Sequence, residues 1–149
     1  MGEANAEVAF RMMEYAENKD LNGAMALFTE DAVFIDPHYL KTHMKGHAEI
    51  AEGMRWGFNS LSKLGFDVIS TYPSADGEGL VVSMRTAHVL PNGKSLSFPQ
   101  LLVFEFEGQL IKSLEAYVQY EPHGVVGVIL KIERLKATLA CWRKKYLSR

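Results

Sequence analysis

The sequence predicts an α+β domain in which N-terminal helices pack into a cone made by a strongly curved antiparallel sheet, with a mostly apolar pocket between them. Three observations carry this. Helical periodicity is confined to the first sixty or so residues and to the tail. Between residues 66 and 120 four alternating stretches are separated by Asp76-Gly77, Asn92-Gly93 and Glu107-Gly108, dipeptides that favour tight turns. Tight turns join antiparallel neighbours, so these strands form a meander. Pro99 falls inside the third stretch, where it cannot donate to a ladder, and it therefore marks a bulge or bend.

Asn5 is positioned to cap a first helix running to about residue 18, with Ala6, Ala9, Phe10, Met13 and Ala16 on one face. Asp20 caps a second, short helix through Phe28. Residues 32–36 read as a strand that stops at Pro37. A helix follows from His47 to about Leu61, its inward stripe made by Ile50, Met54, Phe58 and Leu61. Gly53 and Gly57 on that helix mark a site of close approach. The strands are expected over 66–72, 80–90, 95–107 and 109–120. On the third, Leu96, Phe98, Gln100, Leu102, Phe104 and Phe106 share a face; on the fourth, Leu110, Lys112, Leu114, Ala116, Val118 and Tyr120 do. The opposite faces expose Ile69, Leu101, Val103, Ile111 and Tyr117, an apolar patch suited to a homodimer.

A chain of 149 residues is one domain's length, enough to bury a core without disulfides or metals. The single cysteine, Cys141, has no partner for an intrachain disulfide, and the acidic start carries no leader pattern. No stretch has the apolar length of a membrane span, so the expected location is cytoplasmic. The net charge of −2 divides unevenly: residues 124–149 carry +6 and the remainder −8. Within that tail Val125, Val128, Ile132, Leu135, Leu139, Trp142 and Tyr146 alternate spacings of three and four, a seam along one long helix. The domain is accordingly placed at 1–123 and the basic amphipathic helix at 124–149, packed on the domain or on a dimer partner. Nucleic acid and membrane are not expected as partners, because the basic residues clump near one end.

The stretches EYAENKDLNGAMALFTEDAVFIDPHY, KGHAEIAEGM and VFEFEGQLIKSLEAYVQY resemble the nuclear transport factor 2-like superfamily, which includes ketosteroid isomerases and SnoaL-like polyketide cyclases. The resemblance covers roughly residues 5–121. It implies a cystatin-like α+β barrel, extended here by the C-terminal helix, a small hydrophobic molecule as ligand, and a homodimer. In the isomerases one Asp is the base, while a Tyr and a protonated Asp bind the oxyanion. Asp36 matches the base; the oxyanion Tyr falls on Met12, the protonated Asp on Leu102, and supporting tyrosines on Phe28 and Met54. The base position is kept and the oxyanion hole is not, which argues against the steroid isomerase mechanism. A cofactor-independent isomerase, cyclase or lyase acting on a hydrophobic carbonyl compound is one expectation; a non-catalytic binder or dimeric adaptor is the other.

Asp36 is the first catalytic candidate. Its neighbour Phe34 shares its face, so the carboxyl points into apolar space with no obvious partner for its charge. The bland alternative is a solvated Asp-Pro turn. His88 is the second, on the face of Leu80, Val82, Met84, Thr86 and Leu90; a hydrogen-bonded wall residue is its bland reading. Met12, Phe34, His38, Met54, Phe58, Phe98, Gln100, Leu102, Phe104, Leu114, Ala116 and Val118 are the expected substrate-binding wall. His38, His43 and His47 lack metal-site spacing, and no metal or cofactor is expected.

Overall fold

The computed structural model describes residues 2–119, 128, 131–136 and 139. The chain divides into two compact units, 1–119 and 120–149.

The first unit opens with α1 (Gly2–Glu17) and α2 (Leu21–Met25), followed by β1 (Phe28–Ile35), β2 (His43–Lys45) and α3 (Gly46–Ser60). The strands β3 (Phe66–Pro73), β4 (Gly79–Thr86), β5 (His88–Val89), β6 (Ser95–Leu96), β7 (Pro99–Glu107) and β8 (Leu110–Val118) complete it. Asp20 caps α2 as expected, its carboxylate accepting the Gly23 N–H at 2.9 Å. Asn5 does not cap α1. It lies inside the helix and donates its side-chain amide to the Gly77 carbonyl at 2.9 Å, tying α1 to the β3–β4 turn. The buried face of α1 is Val8, Ala9, Met12, Met13 and Ala16, while Phe10 turns outward.

Six strands form one curved sheet in the order β2-β1-β8-β7-β4-β3. The sheet is open, so the expected barrel is not closed. Its edges are β3 and the three-residue β2, which leads straight into α3. It is also not wholly antiparallel, because β1 runs parallel to β8, with Phe34 opposite Leu114. A hairpin fixes antiparallel pairing only for neighbours in sequence; here the long excursion through α3 and the other strands lets β8 return in the same direction as β1. The remaining main-sheet pairs are antiparallel.

Two of the expected long strands are each broken in two. Thr86, fully buried, donates its backbone N–H to the Phe98 carbonyl at 3.0 Å and accepts the Phe98 N–H on its hydroxyl at 3.0 Å. Beyond it Ala87 donates to the Gly65 carbonyl at 2.8 Å, which turns the chain out of the sheet. The β5–β6 hairpin is therefore a separate two-stranded piece, and the break before Pro99 is where that residue predicted one. A second irregularity lies on β8. The register shifts between Glu105 and Phe106, so Phe106 faces Ile111. Ile111 is fully buried and Leu110 and Lys112 are exposed, the reverse of the expected alternation at this end.

The core lies between the concave face of the sheet and the helices, with Phe34, Leu114, Phe104 and Leu80 in one continuous row across β1, β8, β7 and β4. In the second unit residues 131–136 are helical, and Lys136 and Glu133 pair at 2.8 Å. Of the predicted seam, Val128, Ile132, Leu135 and Leu139 are exposed; Val125, Trp142 and Tyr146, like Tyr120 of the fourth stretch, lie outside the described residues. No helix among the described residues is long and apolar enough to cross a membrane.

Candidate functional site

A cavity of about 340 Å³ opens between α1, α3 and the concave face. Its wall is overwhelmingly apolar, the usual makeup of a small-molecule site. Asp36 lies on it just beyond the last residue of β1, where the strand direction carries it past Phe34. The expected residues Met12, Phe34, His38, Met54, Phe58, Phe98, Gln100, Leu102, Leu114 and His88 also line it. Phe104, Ala116 and Val118 do not. Phe104 is fully buried and stacks on Phe106 with centroids 5.8 Å apart, behind the wall rather than in it. Ala116 and Val118 sit on the same strand face as Leu114, further along β8 and off the cavity wall. Strand alternation selects a face and cannot say which of its rows reaches the cavity.

The Asp36 carboxylate is 7% exposed at residue level and is not alone. Its Oδ1 accepts the His38 backbone N–H at 2.9 Å, and the His38 ring Nδ1 stands 2.9 Å from the same oxygen. The expectation of an unpartnered charge is corrected on this point. The turn that begins at Asp-Pro folds back so that residue 38 supplies both donors, as Asx turns do. With Oδ1 so engaged, Oδ2 makes no hydrogen bond to the described residues and is the oxygen left for a ligand.

His88 stands on β5 with its Nδ1 accepting the Gly65 N–H at 3.2 Å. The neutral ring thus carries its proton on Nε2 and is a donor there. Phe66 and Phe98 meet the ring edge-on, and Phe98 also lies 5.0 Å from the His38 ring. Burial, and secondarily the His38 charge, hold the His88 imidazole below its ordinary 6.5. The native state therefore binds fewer protons here than the unfolded chain below that pH. Any stability linked to this group is present above the unfolded value and is lost as pH falls. Urea midpoints measured from pH 7.5 to pH 5 are expected to fall more steeply for the wild type than for His88→Gln, whose amide oxygen can still accept from Gly65. Parallel profiles would remove His88 from the linkage.

The three clustered histidines separate. His38 faces Asp36, His43 meets the Thr42 hydroxyl at 3.1 Å, and His47 donates from Nε2 to the Phe28 carbonyl at 3.0 Å. Tyr39 and Trp56 also line the cavity and had no signal in the strand and helix patterns. Tyr39 lies in the loop after Pro37, and Trp56 is 38% exposed on α3, outside its inward stripe.

Comparisons with known proteins agree with this architecture. No match was found among curated proteins. A Burkholderia pseudomallei protein of unknown function, described as NTF2-like, is 21% identical with a TM-score of 0.69, covering 78% of this chain and 91% of its own. A Catenulispora acidiphila protein with a ketosteroid isomerase-like fold, crystallised with trimethylamine, is 15% identical with a TM-score of 0.68, covering 77% and 87%. A Mycobacterium tuberculosis protein in complex with estradiol-17β-hemisuccinate is 15% identical with a TM-score of 0.69, covering 78% and 94%. At these identities the likeness is one of fold. The model of the SnoaL-like domain matches residues 9–114, the stretch that builds nearly all of the sheet and most of the cavity wall, and the chain belongs to that family.

Proposed function

We propose that the protein binds a small hydrophobic carbonyl compound in this cavity and transfers a proton with Asp36 as general base, as a cofactor-independent isomerase, cyclase or lyase. One observation carries the reading: a buried carboxylate on an apolar cavity wall, one oxygen held by His38 and the other open. A base so placed reacts by taking a proton from carbon next to a carbonyl, with water largely excluded. His88 contributes a neutral Nε2–H donor on the same wall. Two proteins of the same fold were crystallised with small organic molecules, which supports a small-molecule ligand.

The test is hydrogen exchange at the α-carbon of simple aromatic ketones in D2O, read by mass spectrometry, alongside identification of any ligand that copurifies. Exchange above the buffer rate supports the reading; none across a panel of such ketones favours a non-catalytic binder. That second reading has its own support, since Met12 and Leu102 stand at the cavity wall where the isomerases carry donors.

We also propose a homodimer through the convex face of the sheet. Leu101 lies opposite Tyr117 there, with Val103 opposite Val81 and Val81 opposite Tyr72, so apolar residues adjoin across four strands. Ile111 drops out of this patch because it is buried. Light scattering is expected to give twice the chain mass, and Leu101→Glu the single mass. A monomer at high micromolar concentration in the wild type would refute the dimer.

A further inference from the structure

Tyr39 reaches the cavity from the same turn as Asp36. Its backbone N–H donates to the Asp36 carbonyl at 3.3 Å, closing the four residues Asp36-Pro37-His38-Tyr39. One tight turn thus delivers a carboxylate, an imidazole and a phenol to one apolar space. The phenol is seated against α3. Gly57 forms the seat: a Cβ there would stand 2.9 Å from the Tyr39 hydroxyl and 3.0 Å from its ring, whereas a Cβ on Gly53 would strike the Met44 sulfur and only touch the Tyr39 ring at 3.4 Å. Phe34 meets the ring edge-on at 5.2 Å and Trp56 packs at 5.9 Å. Gly57 therefore makes room for Tyr39, and Gly53 for Met44 beside it.

A ring held on several sides is a positioned group, yet its hydroxyl makes no hydrogen bond to any described residue. Among the described residues no enclosed side-chain polar atom lacks a partner, so this unpartnered hydroxyl is reachable from the cavity it lines, where a ligand oxygen can accept from it. Burial, and then the neighbouring Asp36 charge, push the phenol well above its ordinary 10, so it remains a donor. Gln100, 7% exposed on β7, is a second polar side chain on the wall without a partner among the described residues.

We infer that Tyr39 donates the hydrogen bond that receives the ligand's carbonyl oxygen, replacing from a different element the donors absent at Met12 and Leu102. The inference rests on the proton-transfer reading of the cavity. Asp36 Oδ2 takes the proton from the α-carbon, and the C–H pair forms the new C=C bond. The carbonyl π pair moves to oxygen, where the Tyr39 O–H meets the negative charge. Return of the proton from Asp36 to carbon restores the base.

The test uses two probes of similar shape: 1-tetralone labelled with carbon-13 at the carbonyl, which can only accept a hydrogen bond, and tetralin, which has no oxygen. Neither probe can donate to Asp36. Tyr39→Phe keeps the ring in its glycine seat and removes only the hydroxyl. It is expected to weaken 1-tetralone binding roughly tenfold, the ordinary worth of one such bond, while tetralin affinity stays within about twofold. The carbonyl stretch of bound 1-tetralone, shifted to low frequency in the wild type, is expected to return toward its value in hydrocarbon. If affinity and stretch are unchanged in Tyr39→Phe, the inference is overturned. It is equally overturned if both effects appear in Gln100→Leu instead. Wild-type protein that binds tetralin but gives 1-tetralone no shifted stretch defeats this inference alone. Failure to bind either probe defeats the apolar-cavity reading as well.

Discussion

Asp36→Asn is expected to slow α-carbon exchange by two to four powers of ten while changing ligand affinity only severalfold. The substitution isolates the chemistry. Asn is an accepted residue at the head of such a turn, and its amide oxygen can still receive the His38 N–H that Asp36 now accepts at 2.9 Å. The turn, and with it the placement of Tyr39, should survive, which an unchanged thermal midpoint would verify. What is lost is the lone pair basic enough to take a proton from carbon. Exchange at the wild-type rate in the Asn protein would reduce Asp36 to a turn residue and leave a binding protein.

Phe104→Ala is expected to cost about 3–5 kcal/mol of stability, the range for emptying a buried aromatic site. Phe104 has no exposed surface and stacks on Phe106 with an interplanar angle of 7°. It is the third member of the row Phe34, Leu114, Phe104 and Leu80, so a void there opens beneath four strands at once. Domains are typically stable by only about 5–15 kcal/mol, and a loss of this size should be plain in the urea midpoint at unchanged slope. A loss below about 1 kcal/mol would mean the row can collapse around the gap and is not the centre of the core.

Much of this was legible in the sequence where the cause is local. The Asp-Pro pair ends β1 and begins a turn, and α3 buries Ile50, Met54 and Phe58 as their spacing required. The turns after Asp76, Asn92 and Glu107 each place their glycine at positive φ. Pro99 announced the break that frees the β5–β6 hairpin. The errors have non-local causes. A register shift in β8, set by its pairing with β7, moved Ile111 inside, and no pattern within β8 alone could show it. The direction of β1 depends on a partner at the far end of the fold. The hydrogen bonds that Asp36 receives come from how its turn folds back, and Tyr39 reads as loop until Gly57 is seen to face it. Residue type thus located the carboxylate, while the groups around it became visible only in three dimensions.

The parallel pairing of β1 with β8 also fixes when the site can exist. Phe34 and Leu114 are eighty residues apart, and the contact between them must wait for a long stretch of chain to be made and ordered. On the ribosome, Asp36 emerges early, flanked only by β2 and the first helices. The opposite wall, with Phe98, Gln100, Leu102 and Leu114, is synthesised among the last parts of the first unit. A nascent or truncated chain ending before β8 would carry the base but not the chamber around it. Ligand binding should therefore switch on abruptly as C-terminal truncations are extended past residue 118, and any reactivity of the carboxylate is reserved for a completed sheet.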